Sequence, residues 1–477
     1  MIILKNYSIW QEYLQKDKYD ILNEDLDVDV LIIGGGLTGL STGYFLMNNN
    51  LKVIILEKNT IGSGITSKST AKVSFIQEDM YAKIMFYRNY KDSYAYYKSQ
   101  IQGLNEIKGI IEKYKIDCDF EKSNSYLYSN KKNDRKIKKE HKLIQSFNVN
   151  TIKEKTLPNN MRIKEGFYVE DVYTFNPVKY LNILAENVNK EIKIYENSNV
   201  TELIKNKESY TAYVNNHKVK AKYVVLACHY PFFLFPYLFP FKSTLQKSYI
   251  VSKKGENIGF NAINLDKPLL SMRYYKDYEI YLSLSHNIAF KNNETKNFEK
   301  LNYEEYDYAW SNIDVFTKDF LPYIGKINKH LLIGTGYAAW GMINSHVAGR
   351  LISDIILNRK NDFERLFNPK RISVKSLFRY PIIIFSNAYS FIKNKIFSKK
   401  QYLKNIVYYK HTNNGKIAVY IDEEGNKHKV KAMCPHIKCT LIFNKIEKTW
   451  DCPCHGSRFD IDGKCISGPS KFDIKID

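Results

Sequence analysis

Two kinds of hydrophobic pattern alternate along the chain. Asp27 to Ile33 (DVDVLII) and Lys52 to Leu56 (KVIIL) are short apolar runs rich in Val, Ile and Leu, the signature of strands covered on both faces. Between them a glycine-rich turn opens a helical stretch that ends near Met47, so the segment predicts a strand-helix-strand unit. Asp79 to Lys142 is polar with helical spacing, and its basic run from Lys131 to Lys142 reads as a solvated face. Val200 to Tyr213 and Lys218 to Ala227 return to strand patterning, the latter as a further strand of the first sheet. Tyr249 to Phe290 is strand-like and aromatic, which predicts an antiparallel sheet. Leu331 to Ile333 forms another strand ahead of Gly334-Thr335-Gly336 and a helix from Gly341 to about Leu357. The first fold is therefore interrupted in sequence. Short strands with glycine punctuation from Tyr408 onward indicate a small β domain.

At 477 residues, 44% of them hydrophobic, the chain suits two or three domains. The pattern places an N-terminal segment at 1–27 and an α/β domain at 28–368, with a substrate-facing insertion at about 85–165 and 240–310. A basic linker at 369–404 and an all-β domain at 405–477 follow. The fold class is thus a Rossmann-type α/β fold with an antiparallel substrate sheet (α+β), plus a small all-β domain. The net charge is +22, but Lys, Asn, Ile and Tyr are abundant throughout, which reads as a compositional bias and argues against nucleic acid. Met1 to Lys18 has no apolar run of signal-peptide length and no stretch approaches a spanning helix, so a soluble cytoplasmic protein is expected. Lys370 to Lys404 holds nine Lys or Arg and no acid. A linker helix packed on the first domain is the favoured reading over a basic amphipathic segment on an anionic membrane, because Pro381 interrupts the pattern.

Cysteine placement brings in chemistry. Of seven cysteines, Cys118 and Cys228 stand alone, while Cys434, Cys439, Cys452, Cys454 and Cys465 crowd the C-terminus, which points to metal. Cys434-Pro435-His436 and Cys452-Pro453-Cys454-His455 give C-x-H-x15-C-x-x-H. Two thiolates and two imidazoles fit zinc as well as iron. One Cys and one His from each of two loops suits a [2Fe-2S] centre better than the paired knuckles of a zinc ribbon. CPHIKC and CPCHGSRFD resemble the Rieske family over about the last 75 residues. The resemblance implies that Cys434 and Cys452 hold one iron and His436 and His455 the other. It also implies a disulfide between Cys439 and Cys454, as in respiratory-complex relatives, with two free buried thiols as the alternative. Ser457 matches the hydroxyl donor to a bridging sulfide, and Gly468-Pro469 a third loop over the cluster. Phe459 stands where high-potential relatives carry Tyr, so a lower potential is expected.

Gly34, Gly36 and Gly39 follow a strand, open a helix and precede Glu57 at the end of the next strand, a context that makes this a dinucleotide-binding signal. The motif alone does not choose between NAD and FAD. The first 360 residues resemble FAD-dependent oxidoreductases of the D-amino-acid-oxidase type, and this resemblance implies FAD. It points to Gly34, Gly35, Gly36, Leu37, Thr38 and Gly39, with Glu57 and Lys58, around the ADP moiety. Thr66, Ser67, Ser69 and Thr70 belong to a loop wrapping the pyrophosphate and flavin, and Val200 to the strand meeting adenine. Asp319, Pro322 and Gly325, then Gly334, Gly336, Trp340 and Gly341, match the C-terminal flavin-binding segment. For substrate, Arg273 is a candidate carboxylate ligand, with a surface arginine as the alternative. Lys72 is a candidate cation near the flavin, and His229 and His286 are weaker polar candidates.

The expected function is oxidation of a small amine or amino acid by FAD, with electrons relayed singly through the cluster to a separate acceptor protein. The alternatives are a cluster-fed flavin reductase, and a redox sensor or electron carrier without small-molecule turnover.

Overall fold

The computed structural model describes residues 4–476 apart from 231–241, 288–293, 380, 382–383, 386–388, 390–391, 393–405 and 414, without the side chains at 284–287, 294–296 and 377. The central sheet grows from Leu26–Ile33, which pairs in parallel with Val53–Leu56 on one side and with His217–Leu226 on the other. Lys193–Tyr195 extends the first edge in parallel, and Leu331–Thr335 the second. Tyr323–Lys326 closes that second edge antiparallel. Strands distant in sequence thus become neighbours, as the interrupted pattern predicts. Helices Leu37–Leu46 and Gly341–Ile356 pack together so closely that a Cβ on Gly349 would lie 2.6 Å from Ser41.

A second sheet runs in the order Tyr308–Thr317, Ser243–Lys254, Tyr278–Asn287, Leu270–Tyr275, Phe260–Asn264, Glu121–Ser129, Glu165–Thr174, Lys72–Val73. Glu121–Ser129 interrupts the stretch expected to be helical from Asp79 to Lys142. Its Ser125, Leu127 and Ser129 are buried in the sheet against Glu165–Thr174, and burial of the aromatic-rich SYLYS outweighs the helical spacing around it. Lys72–Val73 ties the loop after the first strand-helix-strand unit to this sheet, so the two sheets share a wall. The C-terminal domain is built from a three-stranded meander (Val407–Thr412, Gly415–Ile421, Lys427–Lys431) and a four-stranded sheet from Ile442 to Ser467. No helix among the described residues is long and apolar enough to cross a membrane.

Candidate functional site

The glycine loop is built for close approach. Gly34 sits at φ +114°, where a Cβ would lie 2.7 Å from the Ala227 carbonyl oxygen, and a Cβ on Gly39 would lie 1.9 Å from that of Gly34. Only glycine fits at these positions. Gly36 offers the helix Leu37–Leu46 no capping side chain; Leu37 N–H donates to Thr66 Oγ1 at 3.4 Å, and the following first-turn N–H groups are left for an anion. Glu57 receives the backbone N–H groups of Gly35 at 2.8 Å and Asn59 at 2.9 Å. Burial raises its pKa, against those two donors.

One cleft runs from this loop. Glu57, Lys58 and Val200 wall one end, Gly34, Gly36, Leu37, Thr38, Thr66, Ser69 and Thr70 the middle, and Tyr337 to Met342, including Trp340 and Gly341, the other. The indole Nε1 of Trp340 is buried without a partner. Gly35, Gly39, Ser67, Gly334 and Gly336 support the walls from behind. Gly334 abuts Thr38 and the Tyr337 hydroxyl, and the Ser67 hydroxyl donates to the Gly64 carbonyl. A cradle cut to glycine, an uncapped helix N-terminus and an orphaned indole N–H fit FAD.

Lys72, Glu78, His229, Asn312 and Asp314 line a further part of the same cleft, the chamber, and the Ala338 N–H bond to the Val315 carbonyl at 3.1 Å sets the Tyr337–Met342 segment beside the strand of Asn312 and Asp314. The Lys72 ammonium reaches Ser271 Oγ at 2.5 Å and the Ala262 carbonyl at 3.3 Å, and burial, reinforced by Arg273, pushes its pKa down to about 7. Burial and the neighbouring Glu78 push Asp314 up to about 7. Glu78 has Lys83 at 3.4 Å, whereas Asp314 has no cationic partner among the described residues; Asn312 Nδ2 approaches it at 3.4 Å, and a hydrogen bond from the Ser248 side chain opposes its upward shift. The Oδ1 of Asn312, a residue only 7% exposed, has no partner. Burial drives His229 down to about 4, and its Nε2 lies 2.7 Å from the Ile313 carbonyl oxygen.

Arg273 is neither a carboxylate ligand in the cleft nor a surface residue. It is 1% exposed, and its guanidinium donates to the carbonyls of Thr70 (2.5 Å), Ala71 (2.7 Å) and Phe175 (3.2 Å). Its strand register matches that of Ser271, but the backbone of 70–71 crosses over it and absorbs its donors. Asp319, expected in the flavin-binding segment, is held instead by Arg371 at 2.7 Å, away from the cleft. His286 lies outside the described side chains. Glu78, Asn312 and Asp314 escaped the sequence reading. The one available signal was the polar pair at alternate positions in YAWSNIDVFT.

The Cys/His loops are near copies of each other. In the first, Cys434 N–H donates to Cys439 O and Lys438 N–H to Cys434 O; in the second, Cys452 N–H donates to Ser457 O and Gly456 N–H to Cys452 O. Each loop has Pro in second position and a residue at positive φ in fifth, Lys438 at +62° and Gly456 at +76°. Cys439 and Cys454 form a disulfide that joins the loops. The Cys452 sulfur lies within 4.8 Å of both bridged sulfurs, but a disulfide cannot supply thiolates, so these three are not a metal site. What remains is Cys434 and Cys452, buried side by side, with the His436 and His455 rings 5.1 Å apart between centroids. A hydrogen bond from Cys452 is the chief cause that lowers Cys434 to about 7. Burial keeps His436 (about 4) and His455 (about 3) neutral. The Nδ1 atoms of both imidazoles are buried without partners. Two thiols and two orphaned ring nitrogens are a donor set that could hold a Cys2His2 [2Fe-2S] centre.

The two sites share a wall. Ser467 to Lys471, from the C-terminal domain, line the cleft. Ser470 N–H donates to Ser457 Oγ at 2.9 Å on the cluster side, while the Ser470 carbonyl accepts from Lys58 Nζ at 3.2 Å on the cleft side. Asn199 and Lys471 add reciprocal contacts, to Lys471 O at 2.7 Å and Thr201 O at 2.6 Å. A buried ion network fixes the same domain to the edge of the second sheet. Lys247 meets Asp451 at 2.8 Å, Arg458 meets Glu447 at 2.6 Å and Asp451 at 3.1 Å, and Ser311 N–H donates to Glu447 at 3.0 Å.

Residues 29–355 match the model of the FAD dependent oxidoreductase family, and residues 394–476 that of the Rieske [2Fe-2S] domain. The chain is 29% identical over 492 residues to the Rieske 2Fe-2S iron-sulfur protein YhfW of Bacillus subtilis, covering 98% of this chain and 97% of YhfW. It is 22% identical over 384 residues to the gamma-glutamylputrescine oxidoreductase of Escherichia coli, covering 73% of this chain and 88% of that protein. The glycine oxidase structure from Geobacillus kaustophilus superposes with a TM-score of 0.57 at 15% identity, over 73% of this chain and 99% of that one.

Proposed function

From the premise that the chain belongs to the FAD-dependent oxidoreductase family and carries a C-terminal Rieske [2Fe-2S] domain, we propose that it oxidises the C–N bond of a small amine and passes the electrons through the cluster to a separate acceptor. The observation that carries the relay is the shared wall: Ser470 touches Ser457 beside Cys434 and Lys58 beside the cleft. When bound, FAD would supply a two-electron acceptor for the hydride of an α-C–H bond as a C=N bond forms, and a [2Fe-2S] cluster would supply one-electron carriage.

The residues of this chain supply the rest. Glu57 and Lys58 would hold the adenosine end with Val200, and Gly34 to Thr38 with Thr66, Ser69 and Thr70 the pyrophosphate. Asp314 and Asn312 Oδ1 present acceptors to an ammonium, while Lys72 is tethered to Ser271. A free guanidinium for an α-carboxylate is missing from the described lining, because Arg273 is consumed by carbonyls. This favours amines over α-amino acids. An Asp314 that titrates near 7 is suited to hold the ammonium and accept its proton. The E. coli relative, named for an amine substrate, agrees with this reading.

An anaerobic screen of paired amines and α-amino acids, read by loss of flavin absorbance, tests it. Bleaching by amines supports the proposal; no bleaching by any C–N substrate would remove it.

A further inference from the structure

Among the described residues, the most exposed large apolar side chains fall within one segment. Phe378 is 79% exposed, Val374 74%, Ile372 73% and Phe385 66%, the four highest values among the large hydrophobic residues described. Ile384, Tyr389 and Ile392 follow within the same segment, whose described residues between 381 and 392 are helical. The segment is anchored to the first domain at its start. Arg371 pairs with Asp319 at 2.7 Å, Arg88 donates to the Ile372 carbonyl at 3.3 Å, and Ser373 donates to the Tyr87 carbonyl. These contacts bring it against the end of helix Met80–Tyr87 and the start of helix Tyr90–Tyr114, where Phe86, Tyr90 and Tyr94 are also exposed. The patch is therefore continuous across two parts of the sequence.

Its charge has one sign. Lys375 and Lys139 lie over the Phe86 ring at 5.6 and 5.8 Å, and Lys91 and Lys370 are exposed beside them. The acids at its edge are paired, Asp92 with Arg88 at 2.8 Å and Asp319 with Arg371 at 2.7 Å. No Asp or Glu occurs between Glu364 and Asp422. A second copy of a chain with net charge +22 would bring like charge to this face. Exposed Phe, Ile, Val and Tyr with lysines snorkelling at their edge match the boundary between lipid headgroups and acyl chains.

We infer that this face, centred on Ile372, Val374, Phe378 and Phe86 with Lys139 and Lys375, docks the protein on an anionic lipid surface. The anchor is peripheral: a few apolar side chains enter the boundary and the lysines hold the headgroups, each lysine adding about fivefold to the partition.

Flotation of the holoenzyme with vesicles of phosphatidylcholine, alone or with about one third phosphatidylglycerol, tests this. Binding is expected only to the anionic vesicles. It should fall at least tenfold in the Val374→Ser/Phe378→Ser double variant and several-fold in Lys375→Glu, with flavin and cluster absorbance unchanged, since these side chains are outside both sites. Three results would overturn the inference. One is no binding to anionic vesicles. The second is binding that survives the double variant, which would mean adsorption by net charge alone. The third is a solution dimer or an acidic protein complex that the double variant dissociates while vesicle binding is absent.

Discussion

The two redox sites of this protein are built in opposite ways. The proposed cluster site is local: two six-residue loops, closed by equivalent backbone hydrogen bonds and joined by the Cys439–Cys454 disulfide, carry all four proposed ligands between Cys434 and His455. The flavin cleft is global. Its walls come from the glycine loop, the loop from Gly62 to Lys72, Ser198 to Val200, Ala227 to Tyr230, Asn312 to Val315, Tyr337 to Met342 and finally Ser467 to Lys471 of the other domain. A global site depends on how the domains dock, and here docking rests on buried charges.

The largest effect should come from the local site. Cys434→Ser or His436→Ala is expected to abolish the cluster's absorbance and electron paramagnetic resonance signals, because removal of one ligand opens the iron coordination. FAD content and substrate bleaching of the flavin should stay near wild type. Loss of bleaching with FAD still bound would break the separation drawn here.

Next is the docking network. Arg458→Met strips Glu447 and Asp451 of their shared partner inside the interface, which should cost about 3–5 kcal/mol by thermal unfolding, and should lower FAD retention as well as cluster content. An unchanged FAD content would show that the cleft does not need the docked domain. Burial pushes both carboxyls upward, but Arg458 and Lys247 outweigh it and hold them below their ordinary values of 4.5 and 3.8. Groups depressed in this way contribute stability that is fully present above those ordinary values and is lost as pH falls toward the depressed ones. Docking should therefore be constant from neutral pH to about pH 5 and weaken below about pH 4, which co-elution of flavin with protein across that range would show.

The chamber gives the third prediction. If the ionised form of Asp314 receives the ammonium, kcat/KM for an amine should rise with pH up to about 7, where this buried carboxyl titrates, and level above it. In Asp314→Asn the rise should vanish and kcat/KM fall at least tenfold, equivalent to about 1.4 kcal/mol or more. An effect near the lower bound of that one is expected at the shared wall. Lys58→Gln removes one charge-assisted hydrogen bond to Ser470 and should weaken FAD binding by about 1.5 kcal/mol, on the order of tenfold, measured by apoenzyme titration.

The same contrast governs what the amino-acid sequence disclosed. Cys434, His436, Cys452 and His455 are legible because their ligand geometry is set within a few residues by proline, a positive-φ position and backbone closure. The glycine loop is legible for the same reason. Asn312 and Asp314 share a strand and left one local signal, their alternate positions in YAWSNIDVFT, but Glu78 meets them only after the long second sheet is assembled, and nothing in the chain announces that meeting. Arg273 misled for a related cause: its strand position is right for a cleft residue, but the backbone of 70–71, brought in by Lys72–Val73 pairing with Tyr173–Thr174, covers it. The helical reading of Glu121–Ser129 failed because burial between Phe260–Asn264 and Glu165–Thr174 inside the sheet overrode local spacing. The inclusion of Ser467 to Lys471 in the flavin cleft is a property of docking and has no local signal.

The central claim is that the two sites form one electron path within a single chain. Anaerobic stopped-flow with one equivalent of an amine that bleaches the flavin, followed at flavin and cluster wavelengths without mediator, tests it most directly. The account predicts flavin bleaching first, then cluster reduction at a rate independent of protein concentration and slowed by Arg458→Met. A flavin that stays reduced beside an oxidised cluster, or a transfer rate that scales with protein concentration, would contradict it.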